Sequence, residues 1–139
     1  MFEKTSNTIN QNIVIKEVVG KGLVELIESG KLYSSETKRL LELYIKPLIK
    51  DNVDALVLGC THYPYLIPNI REIVGNKMQI IDSGEAVARQ TKSILLKNNI
   101  SNNSFKKSSH QFYINKDKSV LKTLVYKEGK NIIIKEKDF

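Results

Sequence analysis

A thiol, a hydroxyl and an imidazole follow one another at Cys60, Thr61 and His62. Such a group can move a proton, attack an electrophile or hold a metal, and the surrounding residues weigh on the choice. Cys60 is the only cysteine, and the other histidine, His110, lies far along the chain. That argues against a metal site, which needs several such ligands. A free cysteine is also commonly a small buried hydrophobe. The third reading is a reactive thiol: at the end of a strand, beside a histidine and approaching a helix start, a thiolate is favoured. By itself His62 reads as an ordinary core or surface histidine and Thr61 as a helix cap. Their adjacency to Cys60 makes them candidates.

The elements around this trio predict where it sits. Ala55, Leu56, Val57 and Leu58 form a continuous apolar run, which predicts a short strand buried on both faces. Gly59 lets the backbone turn at its end. Pro68 falls just inside a helical segment, Leu66 to Val74, stopped by Gly75. In open α/β sheets, ligands bind beyond the carboxyl ends of the strands. The run therefore delivers its three polar side chains to such a crevice.

Upstream, residues 1–12 are polar and without period. Loose alternation over Ile13–Val19 predicts a strand, broken by Gly20 and Gly22. Leu23 to Ser29 predicts a short helix ended by Gly30. Ser34 or Ser35 is placed to cap a helix running to Lys50, with Leu41, Ile45 and Leu48 on one face. Pro47 inside it should cost a hydrogen bond and kink it. Downstream, Met78–Ile81 predicts a second strand, followed by Asp82-Ser83-Gly84 and a helix from Glu85 to Leu96. Two strand–turn–helix units in succession predict an α/β fold with a parallel sheet and right-handed crossovers. Residues 97–109 read as a polar linker. Beyond it come Gln111–Ile114 (strand), Ser119–Val125 (helix) and Asn131–Ile134 (strand).

A length of 139 residues suits one domain of ordinary size or parts of two. No apolar run approaches membrane-spanning length and no signal-peptide pattern opens the chain, so no membrane association is expected. A lone thiol admits no intrachain disulfide and fits a reducing, cytoplasmic setting. The net charge of +7 raises nucleic acid as a partner. Arg39, Arg71 and Arg89 are the only arginines, however, and the lysines are dispersed without interleaved aromatics. The reading is a solvated lysine-rich surface and no nucleic acid.

The hexapeptide Gly59-Cys60-Thr61-His62-Tyr63-Pro64 resembles the second cysteine motif of the glutamate racemases, enzymes that act without a cofactor. The resemblance continues through Tyr44-Ile45-Lys46-Pro47-Leu48 and Val53–Leu58 before it, and Ile80-Ile81-Asp82-Ser83-Gly84 after it. Leu26-Ile27-Glu28-Ser29-Gly30 is similar to an upstream stretch that carries an acidic residue, and His110-Gln111-Phe112-Tyr113 to the closing strand. His62 separates the glutamate enzymes from aspartate racemases, which have an acidic residue there.

The resemblance implies part of a two-lobed α/β fold with the site between the lobes. Residues 1–83 would be most of the second lobe, and residues 84–139 would return to the first. It implies interconversion of L- and D-glutamate by two thiols on opposite faces of the α-carbon, supplying D-glutamate for peptidoglycan. Cys60 would be the thiol acting on L-glutamate, with His62 assisting proton movement. Thr61 would bind substrate, and Glu28 would tune the site. No cofactor and no metal are implied. The partner cysteine with its following Asn and Thr, an early Asp-Ser pair and the Cys-Pro lead into the Glu28 stretch are all absent. Asp82-Ser83 does not replace that pair. The chain therefore reads as a carboxyl-terminal half, inactive alone, partnered by the amino-terminal half or self-associated as a homo-oligomer. The competing readings are another amino-acid racemase of the superfamily and a non-catalytic remnant that binds a partner or a small acid.

Overall fold

The structure, a computed structural model, describes residues 13–102, 104, 109–115, 117–125 and 131–139. The elements are α1 (Leu23–Glu28), α2 (Ser35–Lys50), β1 (Ala55–Val57), a 3-10 turn (Tyr63–Leu66) and α3 (Ile67–Val74). After these come β2 (Gln79–Ile81), α4 (Gly84–Lys97), β3 (His110–Ile114), α5 (Lys118–Val125) and β4 (Ile132–Glu136). As predicted, the class is α/β with parallel pairing: β1 runs beside β2, and β3 beside β4.

The core forms where three apolar stripes meet. Leu41, Ile45 and Leu48 of α2 pack with Leu23 and Ile27 of α1 and with Ile70 and Val74 of α3. Leu56 and Ile80, opposite each other in the β1–β2 register, close this cluster from the sheet. Local signals set the ends of the helices. After α1, the Lys31 N–H donates to the Leu26 carbonyl and that of Gly30 to the Ile27 carbonyl, with Gly30 at positive φ. This is the Schellman arrangement that glycine favours. Ser34 Oγ accepts from the Thr37 N–H at 3.2 Å to cap α2. The buried Thr37 hydroxyl donates to the Lys31 carbonyl at 2.6 Å, which ties the start of α2 to the turn before it. α2 continues through Pro47 to Lys50. Pro47 and Leu43 both lie on its exposed side, so the carbonyl freed by the proline faces water.

Two expectations are corrected. Ile13–Val19 forms no strand: Val14 and Val19 are exposed, and no ladder partner accompanies them among the described residues. Alternation alone does not make a strand without a neighbour to hydrogen-bond. β1 is not buried on both faces. Val57 is 52% exposed and its cross-strand partner Ile81 39%, because the helices cover only the face that Leu56 and Ile80 present.

The second parallel pair stands apart from this core. β3 and β4 match from His110↔Ile132 to Ile114↔Glu136, with α5 between them in sequence, and Lys118 of α5 pairs with Glu136 at 3.5 Å. Leu124 of α5 reaches the main cluster. The whole of α4 contributes no buried residue. The expected linker at 97–109 lies partly outside the described residues, and α4 occupies its first position.

Candidate functional site

The Leu58 N–H donates to the Ile81 carbonyl at 2.8 Å, carrying the β1–β2 ladder one residue past the strand. At Gly59 the chain leaves the sheet. Two short bonds then wind it into the 3-10 turn: the Tyr63 N–H to the Cys60 carbonyl and the Tyr65 N–H to the His62 carbonyl, both 3.2 Å. This tight path brings the side chains of Cys60 and His62 to the same side, with Sγ 3.9 Å from Nδ1. The trio therefore stands at the carboxyl end of β1, as the apolar run predicts. Cys60 is half-buried and Thr61 exposed.

Glu28 joins them from α1. Its Oε1 lies 3.2 Å from His62 Nε2. A carboxylate can only accept, so Nε2 carries the hydrogen and Nδ1 turns its lone pair, or a second hydrogen, toward the sulfur. The imidazole is thus a bridge: carboxylate on one nitrogen, thiol on the other. Because the two contacts use opposite ring nitrogens, thiol and carboxylate do not converge on one point where an ion could sit. Among the described residues no cluster of His, Cys, Asp and Glu is arranged to hold a metal.

Two tyrosines hold α1 in place to present Glu28. The Tyr63 hydroxyl donates to the Gly20 carbonyl at 3.3 Å, and Tyr44 Oη donates to that of Lys21 at 2.9 Å. A Cβ on Gly20 would lie 2.7 Å from the Tyr63 oxygen and 2.8 Å from Leu23, so any larger residue there must push those side chains aside. Burial, then the nearby Cys60, raises the Tyr63 hydroxyl above its ordinary range, which keeps it protonated and donating. Tyr44, Tyr63 and Gly20 fix the approach to α1, and with it Glu28, in a way the motif alone does not reveal. The available signal is the Gly20/Gly22 pair, which reads as strand-breaking yet permits a close approach. At the end of β2, Asp82 turns its carboxylate back onto the Gly84 N–H at 2.7 Å. Concavities of about 620 and 230 Å³ lie on the outer side of α2 and around Asn52, Asp54 and Met78. Neither includes Cys60, so neither encloses the thiol.

No family model matches the chain. A glutamate racemase of Bacillus cereus is 34% identical over 111 residues, which are 80% of this chain and 41% of that protein. One from Pseudomonas syringae pv. tomato is 49% identical over 74 residues, 53% of this chain and 27% of that protein. A solved glutamate racemase isoform from Bacillus anthracis superposes with a TM-score of 0.78 at 24% identity, over 99% of this chain and 52% of that one. The Francisella tularensis enzyme, solved in complex with D-glutamate, gives 0.75 at 24% identity, over 96% and 51%. The chain thus spans about half the length of these structures and less than half that of the curated relatives it matches. It shares the fold of the former and is a partial-length relative of the glutamate racemases.

Proposed function

We propose that this chain, as such a relative, supplies one of the two acid–base thiols that interconvert L- and D-glutamate without a cofactor. The observation that carries this reading is the imidazole bridge, Glu28 to His62 to Cys60, at 3.2 and 3.9 Å. An α-proton of an amino acid is only weakly acidic. Inversion needs a base on one face of the carbon and an acid on the other, and a thiolate and a thiol exchange those roles in each direction. Cys60 is read as the thiol that works on L-glutamate. His62 takes the thiol proton through Nδ1 or returns it, while Glu28 fixes the ring and balances its positive charge. Thr61, exposed beside the thiol, offers its N–H and hydroxyl to a substrate carboxylate.

The second thiol is not among these 139 residues, where Cys60 is the only cysteine. A single thiol that returns the proton to the face it came from leaves the configuration unchanged. The opposite donor, and the rest of the substrate cradle, would come from an amino-terminal half of the fold. This reading fits the chain's span of about half its structural relatives and the position of the thiol outside both cavities. The D-glutamate bound by the Francisella protein supports a small amino-acid substrate. The product would serve peptidoglycan synthesis in the cytoplasm.

The test mixes this chain with the amino-terminal half of the Bacillus cereus racemase and follows the optical rotation of glutamate. The chain alone should leave rotation unchanged, the mixture should racemise, and Cys60→Ser should abolish it, since a hydroxyl gives too little anion near neutral pH. Sustained racemisation by the chain alone, free of host enzyme, or an undiminished rate with Ser at position 60 refutes the two-thiol reading.

A further inference from the structure

Inversion at a carbon needs groups on both of its faces, whereas acyl transfer needs them on only one. A carbonyl is planar, and both addition to it and expulsion from it can be served from a single side. Three groups that are half of a racemising site can therefore be complete for another reaction. Cys60 supplies a nucleophile, His62 Nδ1 stands 3.9 Å from its sulfur, and Glu28 Oε1 holds Nε2 at 3.2 Å. Nucleophile, base and the carboxylate that orients the base are the three roles of a hydrolytic triad, which is recognised by geometry rather than by fold. The backbone N–H groups of Cys60 and Thr61 donate to no group among the described residues. They are free to meet a carbonyl oxygen as it becomes negative. Water, which hydrolysis consumes, has access. Neither cavity encloses the thiol, and the His62 and Glu28 side chains are 34% and 59% exposed.

We propose that Cys60, His62 and Glu28 make this chain, with no second half supplied, a hydrolase of small activated esters and thioesters. In the first step the sulfur bonds to the acyl carbon while its proton passes to His62 Nδ1. The carbonyl then re-forms, the bond to the leaving group breaks, and that group departs with the electron pair; the proton on Nδ1 goes to it or to water. A thioester on Cys60 remains. In the second step a water molecule gives a proton to Nδ1 as its oxygen bonds to the acyl carbon. The carbon–sulfur bond breaks, the sulfur recovers the proton from Nδ1, and the carboxylic acid leaves. Ester and water go in, acid and alcohol come out, and no oxidant or reductant is needed. Glu28, by accepting the Nε2 hydrogen, keeps the lone pair of Nδ1 turned toward the sulfur in both steps. A lone thiol would stop after the first step, because hydrolysis of its thioester has no base; the imidazole makes the reaction a cycle. The activity stands whether or not the chain takes part in racemisation.

The test gives the purified chain an excess of p-nitrophenyl acetate and follows release of p-nitrophenolate, with mass spectrometry locating the acetyl group. A burst of about one equivalent with acetyl on Cys60 is expected, followed by sustained release. Surface lysines also take acetyl, but as amides that do not turn over, so they add nothing to the sustained rate. Cys60→Ser should lose both burst and sustained release. His62→Asn should keep a slowed burst and lose about a hundredfold of the sustained rate, within what general-base assistance contributes. Glu28→Gln, at an exposed carboxylate, should lose less, and His110→Asn, at the other, exposed histidine, should turn over like the native chain. The circular dichroism of each variant should match that of the native chain. A burst without turnover, or a sustained rate unchanged by Cys60→Ser or by His62→Asn, overturns the inference. If turnover is absent while the mixed halves racemise glutamate, only the hydrolase falls; turnover without racemisation removes only the two-thiol function.

Discussion

The bridge makes a prediction that needs only this chain. His62 Nδ1 stands 3.9 Å from Cys60 Sγ, where the imidazole can accept the thiol proton as the sulfur attacks an electrophile. A hydrogen bond of this kind contributes about 0.5–1.5 kcal/mol net. The His62 side chain is 34% exposed, which puts this contact at about 1 kcal/mol or less. That corresponds to a change in rate of about fivefold or less. His62→Asn should therefore slow alkylation of Cys60 by iodoacetamide about two- to fivefold, read by intact mass. Glu28→Gln should act in the same direction but less, about twofold, because its carboxylate is 59% exposed and works through the ring. Equal rates near neutral pH, or a faster His62→Asn chain, would mean that the imidazole and thiol are merely neighbours.

Gly20→Ala should destabilise the chain by about 1–3 kcal/mol in urea, since the new methyl meets Tyr63 and Leu23 at under 3 Å. Adding Tyr63→Phe should recover part of that loss by removing the closer contact. Arg71→Ala should cost about 1–2 kcal/mol in the same assay, because one guanidinium nitrogen donates to the Gly75 carbonyl at 2.9 Å and the Met78 carbonyl at 3.1 Å. For Tyr63 the folded state holds its proton more tightly than the unfolded state does. Its contribution is therefore complete below the ordinary tyrosine value of about 10 and is lost as pH climbs through the raised folded value. Tyr63→Phe should remove that slice of alkaline destabilisation in denaturation curves taken across that range.

How far the residues announced the site depends on how local each part is. Cys60 and His62 are two apart, so a strand end and a turn suffice to bring them together. Glu28 lies 34 residues from His62, and nothing in periodicity pairs them; only resemblance to a family singles it out. Tyr63 reaches Gly20 across 43 residues, a contact that depends on how α1 docks against the turn. The helix over Ser35–Lys50 is legible because its cap, its stripe and its end agree. Ile13–Val19 misleads because pairing is a property of two segments. The run at Ala55–Leu58 misleads more subtly: four apolar residues call for cover on both faces, but these residues provide it on only one.

That uncovered face bears on the chemistry. Val57 and Ile81 sit opposite each other at the last paired position of β1 and β2, and Val57 is three residues before Cys60 in the chain. They point away from the core at the end of the sheet where the thiol emerges. Proton transfer between sulfur and carbon is best served by a site from which water is excluded and in which fixed charges are weakly screened. A polypeptide that laid apolar surface over Val57 and Ile81 would draw the boundary of such a site beside Cys60. It would also strengthen the contact between His62 and Cys60, since the same 3.9 Å separation counts for more away from water. Exposed apolar side chains and a half-buried thiol beside them are then two aspects of one arrangement. Thiol, imidazole and carboxylate are held in register here, beside an apolar face that these residues leave open.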